Sequence, residues 1–300
     1  MEGTTRLLRE APEIRVTARH SGHPEQDELR DAEAIQAASG LALHTRMRLD
    51  MNAKNTVISI VPLAVLWLGM QPCFADSPTP QWTYPGSVTV ASDYIFRGLT
   101  QTNKRAALQA GIEADHDSGF YVGAWGSNIS WLSDLGGISS SLEIDAYAGY
   151  RTTFASGVGL DFGLYTYYYP GDFPSGFTSA NTTEGYVGFS YGIASLKYSH
   201  AFTNLFGFDN SKHSGYLDLS ANWEFSPSWV LNGHVGHQNV EHSAAASYTD
   251  WKLGITRNFD AGWSVAVAYF DTNADEGTYT NPYGTFQGRS TGVVSVTKSF

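Results

Sequence analysis

One histidine and one serine stand two residues apart, a spacing that could activate the hydroxyl. His116 and Ser118 form the only His-x-Ser triplet after residue 75, and a histidine within hydrogen-bonding distance can act as the base for a serine nucleophile. The neighbouring Asp117 and Gly119 are typical of a tight turn. We predict a turn here and no catalytic residues, with an outer-membrane lipid hydrolase as the less favoured alternative.

A second group of ionisable residues, His234, His237, Glu241 and His242, has side chains of the types that bind zinc or copper. Two strand residues that are three apart in sequence point to opposite faces, so only a loop could bring these side chains together around a metal ion. Polar loop histidines are the simpler interpretation, and we predict no metal site. The sequence also lacks a phosphate-binding loop, a dinucleotide motif and a CxxC pair, so we predict no cofactor.

Charged residues after residue 75 recur on one parity of short alternating segments. In Leu217–Phe225, for example, Leu217 and Leu219 alternate with Asp218 and Ser220, which is the period of a β-strand with one apolar and one polar face. Fourteen charged residues fall on the polar parity. We predict that they line an enclosed interior: Asp93, Arg97, Glu113, Asp115, Glu143, Asp145, Arg151, Asp161, Glu184, Lys197, Asp218, Glu224, Asp250 and Lys252.

Twelve such segments follow one another, beginning with Val88–Arg97 and ending with 290–300. Short connections containing glycine, serine or aspartate, such as 117–119, alternate with long ones such as 271–288. An even strand number with short periplasmic turns and longer extracellular loops is typical of bacterial outer-membrane barrels. We therefore predict an all-β fold, an antiparallel transmembrane β-barrel of about twelve strands over residues 76–300.

Aromatic residues favour lipid rather than water outside this barrel, although a soluble β-sandwich would alternate in the same way. They cluster beside the short connections, as in the aromatic girdle of a membrane barrel. We predict a second girdle from Phe96, Tyr168, Phe202 and Tyr269. The aromatic segment 165–178 could enter the interior or stay at the surface, and the sequence leaves both open.

Residues 51–75 have the organisation of a secretory signal peptide. Lys54 precedes an apolar run, and Cys73-Phe74-Ala75 provides small residues before a cleavage site. Cleavage would remove the single cysteine. Residues 1–50 are polar and charged, and we predict that they are a non-native extension from a misassigned translation start. The net charge of −11 argues against a nucleic-acid partner.

The stretch Val88–Thr100, VTVASDYIFRGLT, resembles the opening of a proteobacterial porin-like family of the TorF type, also described as Gcw_chp, a domain of unknown function. Residues 119–129, 142–150 and 296–300 resemble later blocks of that family. The resemblance covers 86–300 and leaves residues 1–50 outside. It implies a channel-like outer-membrane protein and supplies no catalytic residues.

Together these patterns predict an outer-membrane porin that acts as a passive channel and is not an enzyme. Ten of the fourteen interior charges are acidic, so we expect a weak preference for cations among small solutes and ions. Charges that pair across the interior would close it instead, giving a barrel with a structural or ligand-binding role. The expected partners are outer-membrane lipid, small solutes or ions, and the assembly machinery, which would recognise the terminal Phe300.

Overall fold

The computed structural model describes residues 81–300. The predicted extension over 1–50, the predicted signal peptide over 51–75 and the first residues of the predicted barrel lie outside the described part. No helix within residues 81–300 is long and apolar enough to cross a membrane.

Twelve antiparallel strands form a closed barrel. Each strand pairs with its neighbours in the chain, and the last strand pairs with the first one of the barrel, with Val296 opposite Val90. The predicted fold class is therefore confirmed. The barrel strands are β2 (Gly86–Ala91), β5 (Ala107–His116), β6 (Phe120–Asn128), β7 (Leu142–Thr153), β8 (Gly159–Tyr168), β9 (Thr182–Tyr191), β10 (Ala194–Ala201), β11 (Gly215–Ser226), β12 (Trp229–Asn239), β13 (Tyr248–Asn258), β14 (Trp263–Thr272) and β15 (Thr291–Ser299).

Several short elements accompany the twelve barrel strands. A two-residue strand, β1 (Trp82–Thr83), pairs with the end of β5. A short hairpin of β3 (Ile95–Phe96) and β4 (Leu99–Thr100) lies between β2 and β5. The other short elements are the 3₁₀ turns Ser133–Leu135, Ala244–Ala246 and Asp260–Gly262 and the single helical turn α1 (Glu276–Tyr279).

Apolar side chains lie outside the barrel and polar ones inside, because strand residues alternate between the two faces of a sheet. On β11, Leu217 and Leu219 are 46% and 50% exposed, whereas Asp218 and Ser220 between them are buried. A water-soluble protein would bury the leucines. An apolar outer surface around a polar interior is the arrangement of a membrane barrel.

Exposed aromatic residues surround the end of the barrel that carries the short turns. Arg257 points outward among them, its guanidinium 5.0 Å from the ring centroid of Trp229, so its charge lies at the level of the aromatic girdle. Both described chain ends also lie there, since Phe300 and Gly86 exchange two backbone hydrogen bonds of 3.0 Å. The exposed aromatic residues at this end are Trp82, Tyr84, Phe120, Phe154, Trp223, Phe225, Trp229, Phe259, Trp263 and Phe300.

The first predicted strand is wrong in its second half. Pairing in β2 stops at Ala91, and the chain then turns into the barrel. Tyr94 and Phe96, which the alternation assigned to the lipid-facing parity, are buried inside. Phe96 therefore does not belong to a second girdle, whereas Tyr168, Phe202 and Tyr269 are exposed on the outer surface.

The barrel lumen as candidate functional site

The hairpin β3–β4 reaches into the lumen and turns at Arg97 and Gly98. Both residues have positive φ, +46° and +76°, as a two-residue turn of the primed type requires. A Cβ on Gly98 would overlap Asp250 on the opposite wall. The glycine thus allows the turn and also allows the close approach to β13. We call residues 92–106 the luminal hairpin.

An ion pair fixes the tip of the luminal hairpin to the barrel wall. The guanidinium of Arg97 donates hydrogen bonds of 2.6 and 3.0 Å to the two carboxylate oxygens of Glu184 on β9, and one of 2.8 Å to Gln238 on β12. The side chains of Arg97 and Glu184 are only 1% and 2% exposed. The ring of Tyr216 lies 4.4 Å from the guanidinium. The Arg97–Glu184 pair therefore bridges the interior from hairpin to wall.

The carboxylate of Asp93 holds the base of the luminal hairpin together. One oxygen accepts hydrogen bonds from the hydroxyls of Thr100 and Thr102, at 2.6 and 2.9 Å, and from the backbone N–H of Lys104 at 3.3 Å. Its other oxygen is buried without a partner in the described structure. Burial raises the pKa of Asp93, and the hydrogen bonds only partly oppose this.

Large side chains fill the half of the lumen bounded by β5–β10. Arg151 pairs with Glu113 and Asp115 at 2.9 and 3.6 Å and stacks 3.8 Å above the ring of Tyr121. The ammonium group of Lys197 lies 4.0 Å from the ring centroid of Tyr186. Charged groups here are enclosed by tyrosine rings and hydroxyls, so this half leaves little space for a solute.

Two carboxylates near the long loops have tyrosines as partners. Glu143 accepts from Tyr94 on the luminal hairpin at 3.1 Å, and Asp145 accepts from Tyr165 at 2.9 Å. Each also has a buried oxygen with no partner in the described structure. The Tyr94–Glu143 bond attaches the hairpin to β7, and the rings of Phe96 and Tyr167, 5.5 Å apart, add a contact between the hairpin and β8.

Small side chains leave a cavity in the other half of the lumen. It encloses about 140 Å³, roughly ten times the minimum of ~10–15 Å³ that one water needs. Its lining combines the small side chains of Ala266, Ala268 and Ser295 with the polar side chains of His234 and Lys252. The luminal hairpin closes the cavity toward the long loops through Asp93, Tyr94, Ile95, Arg97 and Gly98.

A histidine lies between two carboxylates on the cavity side. Nδ1 of His234 is 2.8 Å from Asp218, and its Nε2 is 3.9 Å from Asp250. Asp218 is also bonded to Ser220, and Asp250 accepts from the hydroxyl of Tyr216 at 2.8 Å. Both carboxylates thus already form hydrogen bonds with protein side chains.

The sequence comparison decides the family of this polar-lined barrel. A family model described as a bacterial protein of unknown function, Gcw_chp, matches residues 75–300. The chain belongs to the Gcw_chp family. The match does not address the narrower TorF-type assignment, and no curated protein sequence matches the chain.

Solved outer-membrane channels resemble the Gcw_chp chain distantly. The KdgM porin is 11% identical with a TM-score of 0.47, covering 72% of this chain and 99% of the porin. The NanC porin is 9% identical with a TM-score of 0.44, covering 71% and 97%. An outer-membrane channel from Pseudomonas putida F1 is 11% identical with a TM-score of 0.44, covering 76% and 100%. Such distant likenesses do not extend to what this chain transports.

The structure places the fourteen predicted interior charges in two kinds of position. Asp93 and Arg97 are inside the Gcw_chp barrel, but on the luminal hairpin rather than on a strand. The other twelve lie on barrel strands, at the positions that alternate with the exposed apolar residues. Glu224, near the short turns, accepts a backbone hydrogen bond from Ser228 at 3.1 Å.

The two groups that could do chemistry have different outcomes. His116 and Ser118 do meet, with Nδ1 and Oγ 2.6 Å apart, but the same nitrogen also bonds the backbone N–H of Ser118, as in a tight turn. The histidine group is not assembled, because His234 faces inward and His237 lies outside, bonded to Thr249. No set of three His, Cys, Asp or Glu side chains in residues 81–300 could hold a metal ion.

Alternation did not identify the aromatic part of the site. In the segment 165–178, which the sequence left open, Tyr165, Tyr167 and Tyr169 point inward while Tyr168 is exposed. Tyr121 and Trp125 of β6 are also buried inside, which explains why the parity of that segment is irregular. The signal available in the sequence was that these aromatic residues occupy the parity that is otherwise polar, because an aromatic residue facing lipid would alternate with polar residues.

Proposed function

We propose that the chain is a channel of the bacterial outer membrane for small solutes and ions, closed in this structure by the luminal hairpin. The observation that carries the proposal is the cavity lined by polar and small side chains beside that hairpin. A barrel with only a structural role could fill this space with apolar side chains at the usual packing density. The Arg97–Glu184 contact is polar and lies at the tip of a connecting segment, so the hairpin can leave without breaking a barrel strand.

A weak preference for cations belongs to the same proposal. Arg97, Arg151 and His234 are paired with carboxylates. The acids remain in excess, because Glu143 and Asp161 are bonded to tyrosine hydroxyls rather than to cationic side chains of the described chain. Acidic groups along a pore attract cations.

The orientation and the partners follow from the outer surface. The apolar band and the girdle would contact outer-membrane lipid, with the short turns toward the periplasm and the long loops outside. Phe300 is 69% exposed at the short-turn end, where the assembly machinery could recognise it. We propose no catalytic role, since the His116–Ser118 pair forms a turn.

Planar-bilayer recording in a potassium chloride gradient tests the proposal. We expect discrete currents whose reversal potential has the cation-selective sign. A reversal potential of the anion-selective sign would reject the cation preference alone. Absence of current both from the parent chain and from a variant lacking Arg97 would reject the channel and favour the closed barrel with a structural or ligand-binding role.

A further inference from the structure

Among the interior cations of the described residues, only Lys252 both lines the cavity and lacks an ion pair. Arg97 and Arg151 each contact at least one carboxylate, and Lys197 is covered by Tyr186 outside the cavity. The side chain of Lys252 lines the cavity, its ammonium group 5.8 Å from the ring centroid of Phe270. No carboxylate of residues 81–300 lies within 4.0 Å of that group.

The carboxylates that line the cavity are already engaged. Asp218 uses one oxygen for Ser220 and the other for His234. Asp93 accepts from Thr100 and Thr102 through one oxygen, and its other oxygen is buried without a partner in the described structure. Both acids keep their negative charge, and Asp218 attracts Lys252 from beyond ion-pair distance. The ammonium group of Lys252 is therefore the charged donor of the cavity that has no carboxylate in direct contact in the described structure.

Hydrogen-bonding groups and an apolar wall complete the cavity. The carboxamides of Gln109 and Asn222 line it and have no side-chain partner in the described structure. Ala266, Ala268 and the ring of Phe270 form an apolar part of the same lining. Amide N–H groups and an ammonium group are the donors that a carboxylate accepts from, and small apolar side chains leave space for a short carbon chain.

We infer that the cavity binds a small organic monocarboxylate, of the size of acetate or lactate, with its carboxylate at Lys252. The inference rests on the proposed function in one respect, since the solute reaches the cavity only if the lumen admits small molecules. A single cation without an ion pair fits a ligand with a single anionic group. A cavity of about 140 Å³ is too small for large polyanions.

Calorimetric titration of the purified chain in detergent tests the inference, with lactate as ligand and uncharged lactamide as its matched analogue. We expect lactate to bind and lactamide not to bind. Lys252→Met and Lys252→Gln should each weaken lactate binding by about tenfold or more, because a charge-assisted contact is lost. Lys252→Arg should retain binding, and Lys197→Met, which removes the interior lysine outside the cavity, should change nothing.

Three results would overturn the inference: equal binding of lactamide, unchanged binding by Lys252→Gln, or displacement of lactate by chloride at equal concentration. Heat-modifiable migration in gels verifies that each variant is folded, and the glutamine variant keeps the test valid if the methionine variant misfolds. Lactate binding without any bilayer current would reject the channel and keep the site, whereas current without binding would reject the site alone.

Discussion

Arg97 and Glu184, 87 residues apart in the chain, meet inside the barrel through two hydrogen bonds of 3.0 and 2.6 Å. Arg97 belongs to a connecting segment and Glu184 to the wall, so this contact determines whether the luminal hairpin stays docked. Removing one partner of a buried ion pair leaves the other charge without compensation, which typically costs about 3–5 kcal/mol. The pair is therefore the most direct point at which to open the lumen.

Replacing Arg97 by methionine should increase the current through the barrel and lower its stability by about 3–5 kcal/mol. Bilayer recording measures the first effect and chemical unfolding in lipid vesicles the second. The matched control is Arg105→Met, which removes an ion pair to Asp134 in which the arginine side chain is 60% exposed. An exposed pair contributes little, so this control should behave as the parent chain.

The double variant Arg97→Met/Glu184→Met separates gating from stability. Without either charge, no unpaired ion is left in the interior, and part of the lost stability should return. The increased current should nevertheless persist, because the polar contact that holds the hairpin is still missing. If the current fell back to the parent value together with the recovered stability, the ion pair would not be the contact that keeps the luminal hairpin docked.

The sequence pattern predicts the barrel well and the hairpin poorly, and the reason is physical. Val88 and Val90 are exposed on the outer surface, whereas Tyr94 and Phe96 continue the same apolar parity but pack on interior aromatics. Alternation shows only that one face of a segment is apolar. Such a face can contact lipid, and it can equally contact the tyrosine rings that line the lumen. The contact of Phe96 with Phe206, 5.6 Å between ring centroids, joins segments far apart in the chain. No local period contains such a contact.

Gly98→Ala should undock the luminal hairpin. The added methyl group would overlap Asp250, and φ of +76° is strained for any residue with a Cβ. Gly176→Ala is the control, since its φ is +84° but a Cβ there would meet nothing within 4 Å. We expect a larger current and faster proteolysis within residues 92–106 for Gly98→Ala only. Equal behaviour of the two variants would show that backbone strain, not the contact with Asp250, is responsible.

Acidification should tighten the docked hairpin through Asp93. Burial raises the pKa of this carboxyl from its ordinary value of 3.8, so the docked state binds the proton more readily than the undocked state. Its stabilisation is complete below about pH 3.8 and is lost as the pH rises through the raised pKa. The current should therefore fall on acidification over this window. Asp93→Asn carries no titrating group there, and the difference between its pH profile and that of the parent chain isolates the effect from the other interior acids.

Deleting Phe300 should reduce assembly without disturbing the folded barrel. Its ring is exposed at the short-turn end, and its backbone pairs with Gly86 beside the seam where β15 meets β2. Phe300→Tyr keeps an aromatic end and serves as the control. We expect less folded protein in the outer membrane for the deletion, but the same heat-modifiable species after refolding in detergent. A deletion that fails to refold in detergent would instead indicate a structural role at the seam.

Arginine substitution at two positions of β13 tests which face of the strand contacts lipid. Leu253 is 54% exposed on the outer face near the middle of β13, whereas Thr256, three residues further on, lines the cavity. An arginine in the hydrocarbon centre of a barrel costs about 2–4 kcal/mol, falling toward the interfaces. Leu253→Arg should therefore lower the free energy of unfolding in phosphatidylcholine vesicles by about that amount, and Thr256→Arg by much less. The same comparison in detergent-free buffer decides between lipid and water outside: if Leu253→Arg left a soluble, folded protein more stable than its parent, the apolar face would not contact a membrane, and the proposed channel would lose its basis.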